Sequence, residues 1–249
     1  MNLILFYPEE MTLESNYVCL QGRRAEHIFN VHRAQVGDVL KAGVINGKIG
    51  EARVLNVTND KIEFSFIPKN DPPEPSNVTL IIALQRPKTL KKVLQSAVSF
   101  GVKKFIFIES WKVEKSYWQS PLLEAEKLTE QIILGLEQGV DTVFPKIEFK
   151  RRFKPFVEDE LSLMVNQKFN DKSIRAIIMH PGNYSKLTDF CYESNDLKFD
   201  ENILIFGPEG GFTDYEVDKI VEAGCDICSL STRILRTEYA VMTALGNFL

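Results

Sequence analysis

Histidine is scarce in this chain: His27, His32 and His180 are the only ones in 249 residues. A metal centre would therefore lean on cysteine, yet Cys225 and Cys228 form a single C-x-x-C with no second pair to complete a site. They lie in Cys225-Asp226-Ile227-Cys228-Ser229-Leu230, which reads as a strand, where residues three apart face opposite ways. Two small buried hydrophobes are expected there, and no metal. Cys19 and Cys191 are isolated. No apolar run approaches the roughly 20 residues of a membrane span. The opening Met1-Asn2-Leu3-Ile4-Leu5-Phe6-Tyr7-Pro8 lacks a signal peptide's basic region and long apolar core, and reads as a first strand. A cytoplasmic location without a membrane partner is expected. Also absent are G-x-G-x-x-G, G-x-x-x-x-G-K-[ST], H-E-x-x-H and G-x-S-x-G, which argues against dehydrogenase, NTPase, metalloprotease and hydrolase.

An overall basic charge is missing too, since the formal net charge is −4. The basic residues are clustered, however. Residues 85–119 hold Arg86, Lys88, Lys91, Lys92, Lys103, Lys104, Lys112 and Lys115 against Glu109 and Glu114, with Trp111, Tyr117 and Trp118 among them. Residues 146–154 add Lys146, Lys150, Arg151, Arg152 and Lys154 against Glu148. Such stretches are either solvated faces of an ordinary α/β protein or a surface where cations meet phosphates and aromatic rings stack on unpaired bases.

Four prolines between Pro68 and Pro75 mark the one obvious boundary, because proline fits neither a helix interior nor a central strand. Before it, short strands dominate. Residues 38–44 and 48–57 flank Asn46-Gly47, a hairpin turn signal, and 61–66 alternates with period two. With one short helix over 23–31, residues 1–70 read as a small β-barrel, followed by a linker over 71–77. After it, strands and helices alternate, as in a mostly parallel sheet covered on both faces. Strands are expected at 78–84, 103–108, 174–179, 203–206 and 226–230. One helix carries Leu90, Val93, Leu94, Ala97 and Val98 and stops at Gly101; another opens at Ser120-Pro121. A capping box, Thr213-Asp214-Tyr215-Glu216, opens a third.

Open parallel sheets bind ligands beyond the carboxyl ends of their strands. Three loops leave strands at that edge: Met179-His180-Pro181-Gly182, Gly207-Pro208-Glu209-Gly210-Gly211-Phe212, and Ser231-Thr232-Arg233-Ile234-Leu235-Arg236. The glycines allow close backbone approach by a ligand, or serve turn geometry alone. His180 is a packed loop residue or a catalyst. Glu238 either favours the start of the last helix or takes part in chemistry beside Arg233 and Arg236.

In combination and order, the string at 207–212 and the later Ile234-Leu235-Arg236-Thr237-Glu238-Tyr239-Ala240 resemble the carboxyl-terminal signature of the ribosomal RNA small subunit methyltransferase E family, of the SPOUT superfamily. The resemblance covers nearly the whole chain, through His27-Ile28, Arg33, Gly37-Asp38, Lys88, Phe100-Gly101-Val102, Glu137-Gln138, Pro145 and His180-Pro181. It implies an α/β fold: a PUA-like, RNA-binding β-barrel followed by a SPOUT parallel-sheet domain at 78–249 with a carboxyl-terminal trefoil knot. It implies a homodimer that uses S-adenosyl-L-methionine to methylate N3 of a uridine in the 16S rRNA of the 30S ribosomal subunit. The cofactor would be held by Met179, His180, Pro181, Gly207, Pro208, Glu209, Gly210, Gly211, Leu230, Ser231, Ile234 and Leu235. RNA would be gripped by Arg23, Arg24, Arg33, Arg86, Lys88, Lys91 and Arg233. Arg236 is the candidate catalytic cation, with Glu238 orienting it. A SPOUT ribose 2′-O-methyltransferase and a non-catalytic RNA-binding protein are the alternatives. The chain departs from the family pattern at Glu109-Ser110-Trp111, where Ser-Glu-Arg is common, at Asp141, and at Tyr239.

Overall fold

The structure, a computed structural model, describes residues 2–12, 16–29, 33–58, 60–166, 173–189 and 199–248. Cys191 and the side chains of Arg23 and His27 lie outside the described set. The chain divides into two compact units, residues 1–74 with 133–144, and residues 75–132 with 145–249.

The first unit is a six-stranded mixed sheet in the order β1-β4-β5-β6-β3-β2. Its strands are β1 (Ile4–Phe6), β2 (Met11–Thr12), β3 (Tyr17–Gln21), β4 (Val39–Val44), β5 (Ile49–Val57) and β6 (Lys61–Asn70). β1 and β4 are parallel and the other pairs antiparallel. Three strand positions separate β1 from β6, roughly 14 Å in a flat sheet. Yet the Phe6 ring lies 5.6 Å from those of both Phe64 and Phe66. Only a sheet curled on itself allows that, and Val18, Leu20, Ile28 and Val54 fill the same core. The Asn46-Gly47 turn also anchors the later piece of this unit: Asn46 N–H donates to Thr142 O (2.8 Å), and Phe144 N–H donates to Asn46 Oδ1 (2.8 Å).

Two local expectations shift here. The helix α1 covers Gly22–His27 and continues as a π turn over 28–29, so it opens one residue before the expected 23–31, with 30–32 outside the described residues. β6 runs through Pro68 to Asn70, past the expected stop. Proline is tolerated because pairing with β3 ends at Ser65, so the last stretch of β6 has β5 alone as a neighbour.

The second unit is a six-stranded parallel sheet, ordered β12-β10-β11-β7-β8-β9. It comprises β7 (Val78–Ala83), β8 (Lys104–Ile108), β9 (Lys146–Lys150), β10 (Ile174–Met179), β11 (Glu201–Phe206) and β12 (Asp226–Cys228). β7 is buried at all six positions, as a strand covered on both faces should be. Helix α2 (Pro87–Ser99) buries Leu90, Val93, Leu94, Ala97 and Val98. The helix expected at Ser120 begins five residues later: Ser120 Oγ accepts from Leu122 N–H and caps a short 3-10 turn, and α3 covers Ala125–Gly139. A helical stretch of mixed α and π turns runs over 153–165, helices α4 (Asp214–Glu222) and α5 (Thr237–Leu245) follow later, and α5 packs on α2. Cys225 and Cys228 are buried, and burial pushes the Cys225 thiol up to about 12. Because β12 lies beyond β10, the chain leaving β11 crosses β10 to reach it. The expected knot depends on the connection between β10 and β11, of which residues 190–198 lie outside the described set.

Candidate cofactor cavity at the carboxyl edge of the parallel sheet

Adjacent parallel strands bring their carboxyl ends to one edge. Met179, Phe206 and Cys228 end β10, β11 and β12, and Met179 is in register with both of the others. The loops that follow therefore start side by side. Each is then held in shape by its own bonds. His180 N–H donates to Cys228 O (3.0 Å), and Ser229 Oγ–H to Tyr184 O (3.1 Å), tying the first and third loops together. Gly211 N–H donates to Pro208 O (2.8 Å), closing a turn in which Gly211 has φ of +69°, a left-handed conformation that L side chains resist. The capping box forms as expected, with Thr213 Oγ1 accepting from Glu216 N–H and Glu216 Oε2 accepting from Thr213 N–H (2.9 Å). It fixes where α4 begins and so where the glycine loop ends.

Three side chains from other strand ends brace the glycine loop. The buried Gln85, beyond β7, donates from Nε2 to Gly207 O (3.0 Å). Arg86 Nε donates to Glu209 Oε1 (2.9 Å). Lys112, beyond β8, donates from Nζ to Gly210 O (2.9 Å). Local sequence gave no sign of these partners, since 122, 123 and 98 residues separate each pair.

Between the loops lies a cavity of about 380 Å³, within the roughly 300–1,000 Å³ typical of small-molecule sites. Every residue expected to hold cofactor lines it: Met179, His180 and Pro181 from the first loop, Gly207 to Gly211 from the second, and Leu230, Ser231, Ile234 and Leu235 from the third. Lys112, Phe206, Phe212, Thr237 and Ala240 line it too, and sequence reasoning had not placed them there. Burial holds the His180 imidazole below its usual value, aided by the Lys112 ammonium and opposed by Asp214, so it is neutral at pH 7.

The expected catalytic pair is arranged differently. Arg236 immediately precedes α5, exposed, between Leu235 and Thr237, which line the cavity. Its guanidinium makes no hydrogen bond or ion pair among the described residues. Glu238 is only 9% exposed and accepts from Lys92 Nζ at 3.4 Å, so it does not grip Arg236 directly. Burial raises the Glu238 carboxyl, but its own backbone N–H, Lys92 and, last, the Arg236 charge outweigh burial and hold it below the ordinary value.

The expected RNA contacts also separate. Lys88, Lys91, Arg33 and Arg233 are exposed, Arg233 at the cavity wall. Arg86 is engaged by Glu209. Arg24 is committed inside the first unit to Glu10, to Leu5 O and to the Tyr7 ring, 4.9 Å from its guanidinium carbon. Among the described residues no group of three or more His, Cys, Asp or Glu is placed to hold a metal ion, and no helix is long and apolar enough to cross a membrane.

Comparison with known proteins agrees with this geometry. Residues 72–249 match the family described as RNA methyltransferase domain, and residues 20–67 match the RNA methyltransferase PUA domain. The chain is 27% identical to ribosomal RNA small subunit methyltransferase E 1 of Borreliella burgdorferi, over 98% of this chain and 95% of that one. It is 28% identical to ribosomal RNA small subunit methyltransferase E of Treponema pallidum, over 98% and 89%. It shares its fold with the solved ribosomal RNA small subunit methyltransferase E of Neisseria gonorrhoeae, bound to S-adenosyl methionine, at a TM-score of 0.70 and 21% identity, covering 98% and 95%. A parallel sheet whose three carboxyl-edge loops enclose one cavity, preceded by a curled β domain, is thus the frame of a known family, and this chain belongs to the RNA methyltransferases.

Proposed function

We propose that this protein transfers a methyl group from S-adenosyl-L-methionine to N3 of a uridine in 16S rRNA, acting in the cytoplasm on the 30S subunit as a homodimer. The observation that carries the reading is the three-loop cavity. Its walls combine apolar side chains (Met179, Phe206, Leu230, Leu235) with main-chain groups of the glycine loop and the Glu209 carboxylate. That set suits a ligand with an adenine ring and a ribose. The names of the relatives and the ligand of the Neisseria gonorrhoeae structure support the same assignment.

The cofactor, when bound, supplies an electrophilic methyl group. The protein's residues would do the rest. Gln85, Arg86 and Lys112 hold the glycine loop rigid, so its main-chain groups meet the ligand already ordered. Loss of the N3 proton leaves negative charge on the flanking uracil carbonyls, and a fixed cation lowers the cost of that charge. Arg236 is that cation in this reading. Its guanidinium has no hydrogen bond or ion pair to give up among the described residues, the start of α5 positions it, and Glu238 acts on it through charge alone. The first 70 residues would grip RNA through Arg23 and Arg33. Residues 71–77 link them to the 78–249 domain, which would add Lys88, Lys91 and Arg233. Affinity should then fall steeply with salt.

The test is mass spectrometry of 16S rRNA nucleosides from cells with and without the gene, alongside calorimetry with S-adenosyl-L-methionine. Loss of 3-methyluridine at one site, with cofactor binding by the purified protein, is expected. An unchanged nucleoside profile would overturn the reading. Light scattering should give about twice the 28.4 kDa chain mass.

A further inference from the structure

A second cavity, of about 760 Å³, opens on the other side of the loop that carries Lys112. Its walls come from the β8 loop, from residues 153–154 and from the start of α4. Three aromatic side chains line it. Trp111 lines it while 85% exposed, and the exposed Tyr215 and the Phe153 ring line it as well. An indole left this open forfeits a large apolar burial. It is also held firmly: its backbone N–H donates to Glu216 Oε1 at 2.7 Å, and the flanking Ser110 and Val113 are buried. Glu216 is only 3% exposed, and its other oxygen closes the α4 capping box, so both oxygens are engaged. Trp111 therefore stands out from a fixed backbone.

Two further features bear on what sits against it. Lys115 and Lys154 are exposed at the cavity wall, Lys154 with Glu158 3.8 Å away, and Glu109 is the remaining acidic group there. Ser110 lines the cavity, and its buried Oγ has no hydrogen-bond partner among the described residues, an omission that costs about as much as a lost hydrogen bond. Flat aromatic faces, flanking ammonium groups and an unpaired hydroxyl fit a planar, hydrogen-bonding ligand attached to phosphate. Unpaired RNA bases are recognised by that combination.

We propose that this cavity receives one unpaired nucleobase of the RNA substrate, stacked on Trp111 with its polar edge toward Ser110 and Glu109 and its phosphates toward Lys115 and Lys154. The proposal rests on the RNA-methylating reading for its partner. It makes Trp111 a substrate-positioning residue, at the place where the family pattern has an arginine. Phe153 packs on Phe212, their rings 6.3 Å apart, so this cavity adjoins the glycine loop. A base held here would be a neighbour of the methylated one.

The test is fluorescence anisotropy with a labelled, unpaired oligoribonucleotide of mixed sequence, without cofactor, beside steady-state methylation of 30S subunits. Trp111→Ala should weaken oligonucleotide binding about tenfold, the scale of losing one stacked base. It should raise KM for 30S subunits with kcat and cofactor affinity nearly unchanged. Trp111→Phe should restore most of the binding. Ser110→Ala should lose a few-fold in RNA affinity at unchanged thermal stability, since its hydroxyl has no hydrogen-bond partner among the described residues. Binding by Trp111→Ala within twofold of wild type overturns the proposal, as does a Phe variant no better than Ala. A fall in mass by light scattering for Trp111→Ala also overturns it, by making this face a contact between copies of the chain. The two readings fail separately. RNA binding through Trp111 without methyl transfer sustains the base pocket and sinks the enzyme assignment; methylation at unchanged KM after Trp111→Ala does the reverse.

Discussion

Arg24 and Arg236 belong to different compact units and are used in opposite ways. Arg24 is spent inside the curled sheet on a carboxylate, a carbonyl and an aromatic face. Arg236 sits at the edge of the parallel sheet with no hydrogen bond or ion pair to its guanidinium among the described residues. The glycines divide likewise. At Gly50, in β5, a β-carbon would come within 2.0 Å of Ile67 O, so that glycine lets two strands approach. At Gly211 a β-carbon would meet nothing nearer than His180 Cε1 at 4.0 Å, and the positive φ is what demands glycine. One unit closes its polar and small residues into its own architecture. The other keeps them open at one edge, where a substrate can be met.

The largest test of that contrast is Arg236→Ala. Methyl transfer in single turnovers on 30S subunits should fall by roughly 10²–10³, the scale of removing one preorganised donor. Cofactor affinity by calorimetry should stay within about twofold, because Arg236 does not line the cavity. Lysine there should recover only part, as a point charge in place of a fork. Arg24→Ala should instead lower stability and leave the rate of bound complexes alone. A wild-type rate in Arg236→Ala would erase the distinction.

Much of this contrast was legible in the sequence, and the reason is local. The apolar run of β7, the Asn46-Gly47 turn, the capping box and the glycine string each act through neighbours a few residues away, so periodicity and turn chemistry expose them. What escaped is long-range or atypical. Arg24, Arg86 and Glu238 found partners 14, 123 and 146 residues distant. β9, Lys-Ile-Glu-Phe-Lys, reads as a charged surface stretch. It is an edge strand whose lysines are neutralised by Glu148 and Glu160. The second of the two basic stretches is thus partly sheet edge.

A second test addresses the closed unit. Glu137 is buried there, and burial, opposed by Arg24 and by a backbone bond at Leu5, pushes its carboxyl up to about 7. The folded value lies above the unfolded one near 4.5. The fold therefore favours the protonated form, and stability is lost as pH rises from about 4.5 to 7. Glu137→Gln removes that dependence. At pH 8 it should stabilise the unit by up to about 3 kcal/mol, with little effect at pH 4.5. Thermal melts across that range would show it, and a variant destabilised at pH 8 would mean the carboxylate is needed there.

A smaller effect is expected at the open edge. Gly211→Ala meets no steric block, so its cost is that of holding an L residue at positive φ, about 1 kcal/mol. Melting should register that loss together with weaker cofactor binding, because the turn that relaxes is the one lining the cavity. Unchanged affinity at reduced stability would separate the turn from the site.

The smallest effect concerns His180, and it tests whether the open edge is tuned for a cationic ligand. Burial and the Lys112 ammonium both disfavour the imidazolium, and Asp214 opposes them only in part. The ring is therefore neutral at pH 7 and lies in the cavity wall. As pH falls below the ordinary histidine value of 6.5, a proton eventually enters and puts a second cation beside Lys112. A ligand carrying a sulfonium is then repelled, and the screened exposure of the wall keeps the penalty modest. Calorimetry from pH 7.5 down to the onset of acid unfolding should show S-adenosyl-L-methionine affinity falling a few-fold in the wild type and staying nearly flat in His180→Gln. The same depressed value costs stability in acid, because the unfolded chain takes the proton first. Melts of both proteins would separate that loss from the loss of affinity. A wild-type affinity that does not change with pH, or a Gln variant with the same slope, would show that the charge of this wall is indifferent to the ligand.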